Sequence, residues 1–182
     1  KEDFMRYISG MGARNGLIEY LGIKGIKEFS PEEVNHQFYV HKKRFIEEQI
    51  DSEIYLLPGI KEFLEYEGNK NKRKVIITSS REEHVKRMLT HYKVFKYFEK
   101  VFDRYSVVRG KPAPEGFLKG IEYLGLKVDE CVAFEDSFYG LQSAKGAGLF
   151  TIGIINRGWN DDFVYQLSDF VIESYKELIT PS

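Results

Sequence analysis

The sequence predicts an α/β fold, a parallel β-sheet with helices on both faces, preceded by a small all-helical segment. Three observations predict it. From Pro58-Gly59 onward, short runs of β-branched and aromatic residues alternate with helical stretches, which indicates right-handed crossovers and a parallel sheet. Before that point, residues 1–54 read as helices and offer no strand candidate. The chain has 182 residues, 42% of them hydrophobic, with 14 Phe and 12 Tyr. That is enough for one compact domain, or for a core carrying a small insertion.

The elements follow in order. Phe4, Ile8 and Met11 fall at helical spacing, as do Leu17, Ile18 and Leu21 before Gly22. Ser30-Pro31-Glu32-Glu33 is a helix start, with a hydroxyl cap, proline in the first turn and acids near the positive helix end. The helix it opens extends to about Gln49, with Val34, Phe38, His41 and Phe45 on one face. A helix over Ile60–Tyr66 leads through a polar turn into Val75-Ile76-Ile77-Thr78, a run that suits a strand buried on both faces. Ser80 with Glu83 forms a capping box for a helix over Glu82–Tyr92. A strand around Lys100–Phe102 comes next. It is followed by a helix over Pro114–Leu124, stopped by Gly125, with Phe117, Leu118, Ile121 and Leu124 toward a core. The strand Cys131–Phe134, the helix Ser137–Lys145 and the strands Phe150–Ile154 and Asp169–Ile172 complete the pattern.

Composition narrows the function classes. Lys+Arg 27 against Asp+Glu 28 nearly cancel, which argues against a globally basic nucleic-acid binder or a cationic membrane binder. No apolar run approaches the roughly 20 residues that cross a bilayer. Cys131 is the only cysteine, so it has no internal disulfide partner, which fits a reducing, cytoplasmic setting.

In parallel α/β sheets, ligands sit outside the carboxyl ends of the strands. The first of these ends carries Thr78-Ser79-Ser80. These residues suit either an ordinary helix cap or hydroxyl donors to phosphate oxygens. Gly110-Lys111-Pro112-Ala113-Pro114 sets a lysine just before a helix start, an unfavourable place for a cation unless an anion is near. Lys111 would pair with a phosphate or neutralise nearby carboxylates. Glu135-Asp136 follows an apolar strand without a turn. Carboxylates held at such an edge are costly unless paired or bound to a metal, and hard oxygen ligands favour Mg²⁺. Asp136 as a simple N-cap is the competing reading. Gly140, Ala144 and Gly148 are small residues that let backbones approach closely.

Hydroxyl strand end, Lys-Pro-x-Pro and Glu-Asp-Ser with a glycine-spaced helix, in that order, resemble the haloacid dehalogenase-like superfamily. The resemblance is to its branch of small-molecule phosphatases and β-phosphoglucomutase-like enzymes with a helical cap. It implies a Rossmann-like core over residues 55–182 and a cap domain over residues 1–54. It makes Thr78 the hydroxyl that bonds the phosphoryl group, with Ser79 and Ser80 adjacent. Lys111 becomes the lysine that stabilises phosphate charge and nucleophile. Asp136 becomes a Mg²⁺ ligand, with Glu135 a direct or water-mediated second. Gly10-Met11-Gly12-Ala13-Arg14-Asn15-Gly16 resembles the cap's specificity loop, with Arg14 as its substrate contact. The same glycines do not make a dinucleotide loop, because they follow a helix rather than a strand.

The sequence departs from the family in one respect. The family's nucleophile is the first Asp of an Asp-x-Asp signature on a central strand, and no Asp-x-Asp occurs in these 182 residues. The chain opens Lys1-Glu2-Asp3 without an initiator methionine, and the expectation is that the full-length protein carries that strand upstream. The function expected is Mg²⁺-dependent hydrolysis of a small phosphorylated metabolite, such as a sugar phosphate, through an aspartyl-phosphate. These residues alone are expected to be inactive. A β-phosphoglucomutase-like isomerase is the alternative, and a phosphate-binding pseudoenzyme is the reading if the chain is complete. The expected partner is the small metabolite, with no nucleic acid or membrane, and the expected state is a monomer or weak dimer.

Overall fold

A computed structural model describes residues 21–26, 30, 33, 36, 40, 44, 56–68, 71–155 and 161–179. Ten elements alternate: α1 (Ile60–Gly68), β1 (Val75–Ile77), α2 (Glu82–His91), β2 (Lys100–Phe102), α3 (Glu115–Leu124), β3 (Val132–Glu135), α4 (Phe138–Gly146), β4 (Phe150–Ile154), α5 (Asp161–Leu167) and β5 (Phe170–Ile172). Every strand pairing is parallel, as the alternation predicts. The Ser30–Glu33 start is present as a reciprocal cap. The Glu33 N–H donates to Ser30 Oγ (3.2 Å) and the Ser30 N–H to Glu33 Oε2 (3.0 Å). Most of the residue 1–54 segment, including Gly10–Gly16 and Arg14, lies outside the described residues, and so does Trp159. No described helix is long and apolar enough to cross a membrane.

Among the described residues the strands form two sheets, β1–β2 and β3–β4–β5, and no ladder joins β1 to β3. The division falls between β1 and β3. Helix α3 spans it. Gly116 and Gly120 lie against Ile77 and Val75 of β1, while Phe117 packs with Ala133 of β3 and Ala144 of α4. The strand period of two separates the faces of β3. Ala133 faces the α3–α4 cluster, and Phe134 faces α1 and the turn Tyr175–Leu178, against Phe63, Ile152 and Tyr175. Leu141, Phe163 and Val164 form a third cluster between α4 and α5.

Four sequence expectations need correction. Val75, Ile76 and Ile77 are half-buried rather than covered on both faces, because β1 has a ladder partner on one side only among the described residues. The third strand begins at Val132 and ends at Glu135, one residue later than read, and its first residue is 51% exposed. Leu118 is 46% exposed, because the buried stripe of α3 is built from Gly116, Phe117 and Gly120. Ser80 does not cap α2. The N-cap is Arg81, in extended conformation and without a side-chain capping bond, and the Glu82 N–H donates instead to Asp103 Oδ2 (3.3 Å), from the end of β2. The C-terminal stop of α3 is as expected, with Gly125 left-handed at φ 63°.

Candidate functional site

Strands β1 and β3 end close together, where Lys111 bridges Ile77, the residue before Thr78, and Glu135. Thr78 directly follows β1, and its backbone N–H still donates to the Phe102 carbonyl (2.9 Å). Its hydroxyl accepts from the Ser80 N–H (3.1 Å), which leaves the Thr78 O–H proton to donate elsewhere. Ser79 and Ser80 continue the same turn, half-buried.

The segment carrying Lys111 is fastened on both sides, and its Lys111-Pro112 peptide is cis. The Ala113 N–H donates to the Gly110 carbonyl (3.0 Å), and buried Ser143 of α4 donates its hydroxyl to the Ala113 carbonyl (2.7 Å). Upstream, Glu115 accepts from the Val108 and Arg109 N–H groups (2.8 and 2.9 Å). Those two bonds hold its carboxyl below the usual carboxylate range. So anchored, Lys111 turns inward, with only 9% of its side chain exposed. Its Nζ donates to Glu135 Oε2 (2.5 Å) and to the Ile77 carbonyl (3.3 Å), and lies 5.3 Å from the centre of the Phe117 ring.

Glu135 is the buried partner of that pair. Its Oε1 accepts from the Ser137 hydroxyl (2.8 Å), and Ser137 in turn accepts from the Gly140 N–H (3.2 Å). Gly140 has a steric reason to be glycine, because a Cβ there would land on the Glu135 carboxylate. Gly148, by contrast, sits in the turn after α4 at φ 78° and is not part of the close approach.

Asp136 lies one residue beyond β3 and is half-buried. It is not the helix cap, since Ser137 holds that position. Glu135 meets Lys111 and α4, whereas the charge of Asp136 is felt at Tyr175. The Tyr175 phenol, buried against Phe134 and Phe63, has its pKa raised above the ordinary tyrosine value. Burial is the main cause, followed by the negative charge of Asp136 and then that of Glu135.

Among the described residues, no group of three or more His, Cys, Asp or Glu side chains is placed to hold a metal. Glu135 and Asp136, adjacent in sequence, offer one or two carboxylates, as many as Mg²⁺ takes when water and phosphate oxygens complete its shell. Sequence reasoning missed three supporting parts: the Ile77 carbonyl, the Phe117 ring and the Ser137–Gly140 cradle. Gly140 was legible as a small residue, but its contact was not.

The family described as "Haloacid dehalogenase-like hydrolase" matches residues 12–155. The chain is 31% identical over 160 residues to the phosphorylated carbohydrates phosphatase of Thermotoga maritima, covering 88% of this chain and 72% of that protein. It is 28% identical over 172 residues to the β-phosphoglucomutase of Bacillus subtilis, covering 91% and 75%. The solved structure of CbbY from Rhodobacter sphaeroides in complex with xylulose-(1,5)bisphosphate superposes with a TM-score of 0.82 at 21% identity, covering 98% of this chain and 80% of that one. At that identity the likeness bears on the fold alone.

Proposed function

The chain belongs to the haloacid dehalogenase-like hydrolase family, and on that premise we propose that it serves the hydrolysis of a phosphomonoester of a small sugar or related metabolite. The observation that carries this reading is Lys111. Its ammonium is held between the Glu135 carboxylate and the Ile77 carbonyl, at the edge where β1 and β3 end and beside Thr78. Glu135 and Ile77 occupy two of its three N–H donors, and the third supports the reading that a phosphate oxygen is its remaining partner.

In this reading the substrate phosphate enters beside Thr78 and Lys111. The Thr78 hydroxyl donates one hydrogen bond to it. The Lys111 ammonium supplies positive charge against the phosphoryl oxygens in surroundings with little water, where such a charge counts for more than in bulk solvent. Glu135, itself fixed by Ser137, keeps the ammonium in place. Asp136 would hold Mg²⁺, with Glu135 a direct or water-mediated second ligand. When bound, the metal supplies Lewis-acid neutralisation of phosphoryl charge. The reading assigns phosphoryl transfer to an aspartate of an Asp-x-Asp signature, which these 182 residues do not contain. They are therefore expected to bind phosphate without turnover.

The test is a panel of sugar phosphates offered, with and without Mg²⁺, to the native full-length gene product, with free phosphate as the readout. No release from any member would sink the phosphatase reading. The similarity to a β-phosphoglucomutase supports a second reading, isomerisation of a sugar phosphate. Interconversion of isomers without net phosphate release would select it.

A further inference from the structure

We infer that Phe117 is a positioning residue for Lys111, holding its ammonium by the electron-rich face of the ring and so leaving one N–H donor for a phosphoryl oxygen. The inference rests on the phosphate-binding reading above and adds a part to it.

A lysine side chain has several rotatable bonds, so two hydrogen bonds still let its nitrogen shift between their acceptors, and the third donor shifts with it. Here Glu135 Oε2 and the Ile77 carbonyl take two donors, and both come from strand ends. The Phe117 ring lies 5.3 Å from Nζ, within the range at which a cation is drawn to an aromatic face. That contact constrains the ammonium from a further direction and uses no donor.

The ring is well placed to act as a fixed reference. Phe117 is 8% exposed and packs in the core with Ala133, Ala144, Ala147 and Leu149. Helix α3 presses against Ile77 through Gly116 and Gly120, so the ring and the carbonyl that bind the ammonium are registered to each other. The Lys111 side chain is only 9% exposed, which limits the water that would otherwise weaken the attraction. A leucine would fill much of the same space without offering a π face.

The test is binding of inorganic phosphate by the whole chain, followed by NMR titration. The native protein is compared with Lys111→Met, Phe117→Leu and versions carrying mono-, di- or trifluorinated phenylalanine at 117. Fluorination keeps the ring's shape and withdraws its electron density, so a packing role would not respond to it. The expected result is a stepwise fall in phosphate affinity with each fluorine at an unchanged urea midpoint, and a loss of about five- to thirty-fold in Phe117→Leu. Unchanged affinity across the fluorinated series, with Lys111→Met still impaired, overturns the role of Phe117 and leaves the site reading intact. Affinity that falls only in step with the urea midpoint overturns it too. If Lys111→Met binds phosphate like the native chain, or the native chain binds none, the site reading fails and this inference fails with it.

Discussion

Replacing Gly140 with alanine tests the geometry beneath the candidate site. The added methyl would land on the Glu135 carboxylate. That group cannot retreat freely, because Oε1 is engaged by Ser137 and Oε2 by Lys111. Overpacking of this kind costs about 1–3 kcal/mol. Pushing the carboxylate off a buried lysine approaches the roughly 3–5 kcal/mol of a broken buried pair. Alanine's helix preference returns at most about 1 kcal/mol. The net expectation is a loss of about 2–4 kcal/mol. With a urea dependence near 2 kcal/mol per molar, that lowers the unfolding midpoint by about 1–2 M. The cycle with Glu135→Ala makes the test sharper. Once the carboxylate is gone, Gly140→Ala should be neutral or stabilising by up to about 1 kcal/mol, because only the propensity effect remains. The reasoning is refuted if Gly140→Ala matches the native midpoint, or if it costs the same in both backgrounds.

Three further outcomes are expected. Asp103 accepts from the Tyr105 and Ser106 N–H groups, the Ser106 hydroxyl and the Glu82 N–H. Asp103→Ala should therefore lose about 1–3 kcal/mol and speed amide exchange in the first turn of α2; protection there equal to the native level would count against the assignment. A Cβ at Gly153 would meet Ser168 and, at 2.6 Å, Val164. Gly153→Ala should cost about 1–3 kcal/mol by calorimetry, and Ser168→Gly should recover part of it. Asp169 has its pKa lowered from 3.8, first by the hydrogen bond from Lys145 and then by the Thr151 N–H. A depressed acid contributes stability above its unfolded pKa and loses it as pH falls through the folded one. The gap between native and Asp169→Asn should thus be largest at neutral pH, at most about 1 kcal/mol for so solvated a pair, and close below pH 3.8. A gap that persists or widens in acid would contradict this.

What the sequence disclosed follows from the range of the physics involved. Strand and helix order depends on local composition and periodicity, so β2 and β4 fall where β-branched and aromatic runs put them, and Gly125 ends α3 as a left-handed residue must. Edge placement of Glu135-Asp136 was also local, since an apolar strand runs straight into the pair. Which acid does what was not local. It depends on contacts between distant parts of the chain: Glu135 pairs with Lys111, and the Tyr175 phenol feels the charge of Asp136 more than that of Glu135. The anchoring of Lys111 joins residues 24 and 34 positions apart, beyond any helical or strand repeat. The Phe117 contact is hidden for another reason: helical spacing marks the buried face of α3, but it gives no sign that one ring on that face meets a cation. The lysine also separates the chemistry of the two acids. Lys111 compensates Glu135, so a divalent cation at this edge would draw first on the charge of Asp136. Glu135, whose two oxygens already accept from Lys111 and Ser137, would offer it less uncompensated charge, whether directly or through water.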